Sequence, residues 1–270
     1  MMAFIRALRS EAVKLRRSSL VALHVVLAVI LGGCAGAYFA VSAWDTLLGT
    51  DAFFQLLGAG APLLAGLACG LSADAEHEAG RFANVLGVPC RRAALAAKVT
   101  SLLMLGFGAA LIAMTLFLCI VAAAGCATPS VGACVMAALG IVVGSAALYV
   151  VLFWVAMRFG RNASIAVGAL GFIAATALLG GLANGLVTGT LSGQFAVGIA
   201  ALIPFAWPSR LSSLAIELSI APSLAGDAAL GALWAALNVV GVACAVGTVF
   251  VFACYFCGAN RFEGRRGGGE

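Results

Sequence analysis

Residues 74–98, DAEHEAGRFANVLGVPCRRAALAAK, form the one long polar segment in the interior of an otherwise apolar chain. The segment carries seven charges: Asp74, Glu76, Glu78, Arg81, Arg91, Arg92 and Lys98. Each would cost about 2.5 to 3.5 kcal/mol at the centre of a bilayer, against about 0.3 to 0.6 kcal/mol gained per Leu or Val. The segment therefore belongs in water, and exchange with a soluble partner is expected there. Around it the chain has a mean hydropathy of +1.14 over 270 residues with only 9% charged. An ordinary soluble domain carries about 25% charged residues, so this is an integral membrane protein.

Six windows without charge, residues 20–41, 52–73, 99–124, 132–157, 163–187 and 230–257, are each long enough to cross a hydrocarbon core of about 30 Å as a helix. The expected fold is a single all-α integral membrane domain of six transmembrane helices. Fourteen of the 15 Lys and Arg fall in the amino-terminal arm (Arg6, Arg9, Lys14, Arg16, Arg17), the 74–98 loop, the turn at Arg158 and Arg161, and the tail (Arg261, Arg265, Arg266). The positive-inside rule places these stretches and both termini in the cytoplasm, leaving Arg210 on the outer side. The net charge of +5 is topogenic and suits anionic lipid headgroups; it gives no reason to invoke nucleic acid.

Residues 1–19 place Phe4, Ile5, Leu8, Ala12 and Leu15 at helical spacing among basic side chains, the pattern of an amphipathic helix in the inner interface. LGGC at residues 31–34 resembles a lipoprotein cleavage box, but the apolar run continues to Val41, beyond the roughly 7 to 15 residues of a signal core. His24 is expected at headgroup level, and Trp44 in an aromatic belt. Within the polar loop, Gly80, Gly87 and Pro89 predict a short helix over residues 76–86 and a second that starts after Pro89 and runs into the third span. Gly pairs four apart (Gly32/Gly36, Gly66/Gly70, Gly140/Gly144, Gly181/Gly185) predict close helix packing.

Residues 188–229 neither cross nor turn back briefly. The apolar piece 195–205 is too short to span, and Pro204, Trp207 and Pro208 interrupt it, so it reads as part of a re-entrant or interfacial outer helix pair. Asn184 and Asn238, polar within the fifth and sixth spans, could contribute to the same neighbourhood, although a simple inter-helix hydrogen bond is the commoner explanation for such residues. The tail, 258–270, is polar, Gly-rich and expected to be flexible and cytoplasmic. Most of the nine cysteines lie in spans, where Cys is a small hydrophobe; Cys126 and Cys134 flank the short outer turn and could pair there.

Little in the chain points to catalysis. His24 and His77 are the two histidines, and HEAGR at 77–81 lacks the second ligand of a zinc helix, so no catalytic or metal site is assigned. Neither Lys14 nor Lys98 follows a Gly, so there is no phosphate-binding loop, and ATP hydrolysis would have to come from another chain. All ten acids are read as lying in loops, arms or tails, which disfavours a proton- or sodium-coupled transporter.

An interfacial first helix, six spans, a charged first inner loop and a long outer segment before the last span resemble the permeases of ABC-2 type exporters. The motif E-x-E-A-G-x-F-x-N-x-L-x-x-P-x-R with a following Lys is similar to the permeases of lantibiotic self-immunity transporters, as is PFAWPSR at residues 204–210. The resemblance implies half of a permease dimer, identical or related, above a cytoplasmic ATPase dimer that binds ATP and Mg; no cofactor is expected in this chain. It implies an ATPase-coupling loop built from Glu76, Glu78, Gly80, Arg81, Phe82, Asn84, Leu86, Pro89, Arg91 and Lys98, and a cationic amphipathic peptide as substrate. Asp45, Asn184, Trp207 and Asn238 are the candidate substrate residues, and the outer acids Asp45, Asp51, Glu217 and Asp227 would favour a cationic ligand. The alternatives are an ABC-2 exporter of another drug or lipid, and a non-transporting membrane scaffold or sensor.

Overall fold

The structure, a computed structural model, describes residues 2–16, 18–179, 186, 189–191 and 202–259; the side chains of residues 84, 86, 227, 228 and 259 are outside that description. Its helices are α1 (Met2–Arg16), α2 (Ser19–Val41), α3 (Thr46–Glu78), α4 (Ala83–Leu86), α5 (Arg91–Ala123), α6 (Val131–Phe159), α7 (Arg161–Leu178), α8 (Trp207–Leu224) and α9 (Gly226–Ala259), with a 3₁₀ turn at Pro204–Ala206 before α8. Among the described residues there is no strand. Six helices, α2, α3, α5, α6, α7 and α9, are long and apolar enough to cross a membrane.

The helices outrun the apolar windows where local chemistry lets them. Asp45 caps α3 by accepting hydrogen bonds from the Leu47 and Leu48 amides, so the helix begins at Thr46. That cap carries Asp51 into the helix, where it is 6% exposed. The reading of all ten acids as loop residues is therefore wrong for Asp51, and for Glu217, which is fully buried in α8. At the other end α3 continues to Glu78, and Arg91 opens α5. The fourth and fifth spans, expected to be joined through the turn at residues 158–162, meet at a single residue, Gly160, whose φ of 93° suits glycine. Cys126 and Cys134 are both free thiols.

α3 is the central strut, packed on α6, α7 and α8, while α2 lies along α5 and α9 along α8 and α6. Three of the Gly pairs are where these helices touch. Gly32 and Gly36 face α5 at Ala113 and Phe117; Gly66 and Gly70 face α7 at Ser164, Gly168 and Arg161; Gly140 and Gly144 face α8 at Leu211 and Pro208. Gly181 and Gly185 lie outside the described residues. Aromatic packing reinforces the outer half, with Phe53 stacked on Phe117 at 4.2 Å and 6° between planes, and Phe39 edge-on to the same ring. Such pairs contribute about 0.5 to 1.5 kcal/mol each beyond area burial.

α1 lies against the N-terminal end of α5. Phe4, Leu8 and Leu15 are half-buried there, whereas Ile5, Ala12 and Val13 stay exposed, so its apolar positions divide between the bundle and the surroundings. His24 faces inward and is 1% exposed, its Nδ1 on the Leu20 carbonyl at 2.8 Å; it is a bundle residue and not a headgroup one. α8 is enclosed by α3, α6 and α9, while residues 192–201, the first arm of the expected outer helix pair, lie outside the described residues.

The packing of α8 gives a direct test. A Cβ at Gly144 would sit 2.6 Å from the Pro208 nitrogen, whereas Gly33 has nothing within 4 Å. Overpacking costs about 1 to 3 kcal/mol. Gly144→Leu should lower the melting temperature of the detergent-solubilised protein, and Gly33→Leu should leave it unchanged; equal effects would contradict this packing.

Candidate functional site

The turn between α3 and α5 is built by a reversal of backbone hand. After the last turn of α3 the Arg81 amide donates to the His77 carbonyl at 2.7 Å and the Phe82 amide to the Glu76 carbonyl at 3.1 Å. Gly80, Arg81 and Phe82 have φ of 141°, 49° and 66°. Left-handed backbone costs an L-residue about 1 to 2 kcal/mol, so something must hold Arg81 and Phe82 there. Phe82 is 1% exposed, packed beneath the turn with Leu20, Leu95 and Val99 and tilted against the His77 ring. Burying a Phe stabilises by about 1.5 to 3 kcal/mol, enough to offset its own strain. Val85, 5% exposed, is the second apolar foot.

The helix predicted over residues 76–86 is thus not continuous. It splits into the end of α3 and the four-residue α4, because the chain turns over at residues 79–82. The predicted coupling residues divide accordingly. Glu78, Gly80, Arg81 and Pro89 face outward, Arg91 is half-buried, and Glu76, Phe82 and Lys98 are buried; the side chains of Asn84 and Leu86 lie outside the description.

Glu76 and Lys98 belong to an ion cluster that the sequence pattern did not assemble. Lys98 Nζ lies 2.7 Å from Glu76 Oε1 and 2.8 Å from Glu11 Oε2; Lys14 Nζ lies 2.7 Å from the same Glu76 oxygen and 2.9 Å from Glu11 Oε1. Two cations and two anions from α1, α3 and α5 close a neutral ring. Partial burial disfavours the Lys14 charge, but hydrogen bonds to Glu76 and Glu11 outweigh this and hold the ammonium above the ordinary value of 10.5. A raised lysine contributes fully below its unfolded pKa and loses that contribution only as pH climbs through the folded one, so the contact persists through the neutral range. The available signal was Glu11 and Lys14 three apart on α1, a spacing that puts them on one face. Two clefts flank the ring: one of about 550 Å³ between α1 and residues 85–98, one of about 230 Å³ between α1 and the end of α3. Arg161 adds a looser tie from α7 to Asp74 at 3.6 Å.

The candidate substrate residues do not form one site. Asp45 is exposed but spent on its cap, and Asn184 lies outside the described residues. Trp207 and Asn238 do come together, on a lateral cleft of about 900 Å³ between α6, the 3₁₀ turn and α9. Its other lining is apolar, including Val151, Phe205, Val246 and Phe250. Asp51 and Glu217 are enclosed and cannot meet a ligand from outside. A smaller internal cavity of about 40 Å³ touches His24, Ser145 and Tyr149.

Six apolar helices, with a polar turn between α3 and α5 braced by an ion ring and two apolar side chains, make this a multi-pass membrane protein. Residues 7–177 match the family described as ABC-2 family transporter protein, and the chain belongs to that family. It is accordingly the membrane-spanning permease subunit of an ABC transporter, working in a lipid bilayer with an ABC ATPase, and the scaffold alternative gives way to transport. No curated protein and no solved structure matches it.

Breaking a buried pair by removing one partner costs about 3 to 5 kcal/mol. Lys98→Met should therefore lower the melting temperature sharply, and Lys14→Met less, since Lys14 is 42% exposed at its side chain. Adding Glu76→Gln to Lys98→Met should recover part of the loss. A purely additive double variant would show that the ring is not energetically coupled.

Proposed function

We propose that this permease expels a lantibiotic, a cationic amphipathic lanthionine peptide, from the cytoplasmic membrane and so confers self-immunity. Both termini and the turn between α3 and α5 face the cytoplasm, in keeping with fourteen of 15 basic residues on that side. The ATPase dimer, which binds ATP and Mg, docks on the turn through Glu78, Gly80, Arg81 and Pro89. A second permease subunit, identical or related, completes the pathway.

The observation that carries the coupling role is the division of the turn into an outward face and a braced underside. Glu78 and Arg81 are free to meet a partner, while Phe82, Val85 and the Glu76–Lys98 pair fix the same turn to α3 and α5. A push on such a turn passes to the bundle as a rigid-body displacement, because its feet cannot yield separately. The cargo assignment rests on the motif at residues 76–98 and on the lateral cleft, whose apolar wall with Asn238 suits the apolar face of an amphipathic molecule. The same wall favours a second reading, export of an apolar drug or lipid.

Glu78→Lys should abolish co-purification of the ATPase from gently solubilised membranes while leaving the melting temperature unchanged; retained ATPase would remove the coupling role. Expressed with its ATPase and partner permease in a sensitive strain, the wild type should raise the tolerated lantibiotic concentration several-fold and leave tolerance to hydrophobic drugs unaltered. The opposite pattern would replace the first cargo with the second.

A further inference from the structure

His24 is a buried imidazole that neither the coupling turn nor the lateral cleft uses. It is 1% exposed on α2, and its Nδ1 lies 2.8 Å from the Leu20 carbonyl oxygen. A carbonyl oxygen can only accept, so Nδ1 carries the proton of this bond, and in the neutral ring Nε2 is left as an acceptor. Nε2 is buried and has no hydrogen-bond partner among the described residues. A buried polar atom of this kind calls for a partner, because its loss of hydration is otherwise uncompensated.

The imidazole lines the internal cavity of about 40 Å³ between α2, α3, α5 and α6. Two hydroxyl side chains of α6 line the same cavity, Ser145 and Tyr149, whose spacing puts them on one face of the helix. Ser145 Oγ donates its one hydrogen to the Ile141 carbonyl at 2.6 Å, which leaves its lone pairs to accept. Tyr149 is 4% exposed, and its hydroxyl reaches Gly106 of α5, where a Cβ would lie 2.7 Å from the phenolic oxygen. Gly106 lines the cavity too, so the phenol ends at its wall with a hydrogen to donate. The rest of the lining is apolar, Leu31, Leu57, Leu64 and Phe107 among it. A water takes up about 30 Å³ in the liquid and is held in a protein interior by about two to four polar partners. The cavity therefore fits a single water and no organic ligand.

We propose that this cavity is a binding site for a single water, which donates to His24 Nε2 and to Ser145 Oγ and accepts from the Tyr149 hydroxyl. The two acceptors take both hydrogens of the water and the phenol takes one of its lone pairs, so every polar group on the cavity wall is satisfied at once. α2 is packed mainly along α5, and the water adds a polar tie from α2 to α6 across the cavity. The apolar side chains around it slow its exchange with bulk water.

Solid-state NMR on the full chain in lipid bilayers tests this, because the sequence has only two histidines and isotope-labelled histidine gives two ring systems to assign. The ring missing from His24→Gln is that of His24; should that variant not fold, His77→Gln leaves the His24 ring alone in the spectrum. In the native protein the His24 ring should be protonated at Nδ1 and should receive magnetisation from a water that exchanges slowly with bulk. Tyr149→Phe and Ser145→Ala each remove one partner of the water and leave His24 in place, and each should weaken that transfer several-fold. A His24 ring without contact to a slowly exchanging water, or one protonated at Nε2 alone, would overturn the proposal. So would a water contact as strong in the Tyr149→Phe, Ser145→Ala double variant as in the native protein.

Discussion

The ring of Glu11, Lys14, Glu76 and Lys98 is the interaction on which the inner end of this permease depends. Glu76 and Lys98 are each about 5% exposed at the side chain, and neither could be charged there alone without a penalty of several kcal/mol. Together with Glu11 and Lys14 they are neutral as a group and join α1, α3 and α5. The consequence is mechanical. α3 and α5 reach beyond any apolar window, converge on one buried contact, and leave the left-handed turn between them presented to water on rigid supports. α1 is clamped to the same contact, so α1 and the turn between α3 and α5 are tied to each other.

The outer end is organised by small side chains instead. α8 enters between α3, α6 and α9 because Gly58, Gly140 and Gly144 present no Cβ to its first turns, and because Ser212 Oγ finds the Phe54 carbonyl at 3.1 Å. Close approach of this kind brings Ser213 onto Asp51, its Oγ donating to Oδ1 at 2.6 Å. The permease thus has an ion ring at one end of α3 and a buried polar contact, Asp51 with Ser213 and Gln55, at the other.

Much of this was legible in the sequence, and the failures have a common cause. The six spans, the short connection between the fourth and fifth and the close approach at Gly pairs follow from local composition and spacing, which do not require knowing which helices are neighbours. Glu76, Lys98 and Asp51 were read as solvated because each sits near a window edge, and a window cannot tell that a helix runs on past it; Glu217 was read so because residues 188–229 held no window at all. Asp45 as a cap was the missing clue for Asp51, since a good cap at residue 45 starts the helix before the apolar run begins. The turn at residues 79–82 was misread as helical because Arg81 and Phe82 are ordinary helix residues; only the burial of Phe82 explains their left-handed backbone. Trp207 and Asn238 share a cleft, but their sequence separation gave no means of pairing them with the wall of α6.

The central claim is that the ATPase meets the braced turn between α3 and α5. Site-directed crosslinking measures this most directly: in a chain whose native cysteines have been replaced, Arg81→Cys or Thr128→Cys is treated with a bifunctional thiol reagent in membranes containing the ATPase. Both positions are exposed, at opposite ends of the bundle. The account predicts a permease–ATPase adduct from residue 81 and none from residue 128. An adduct from residue 128, or none from residue 81, would contradict it.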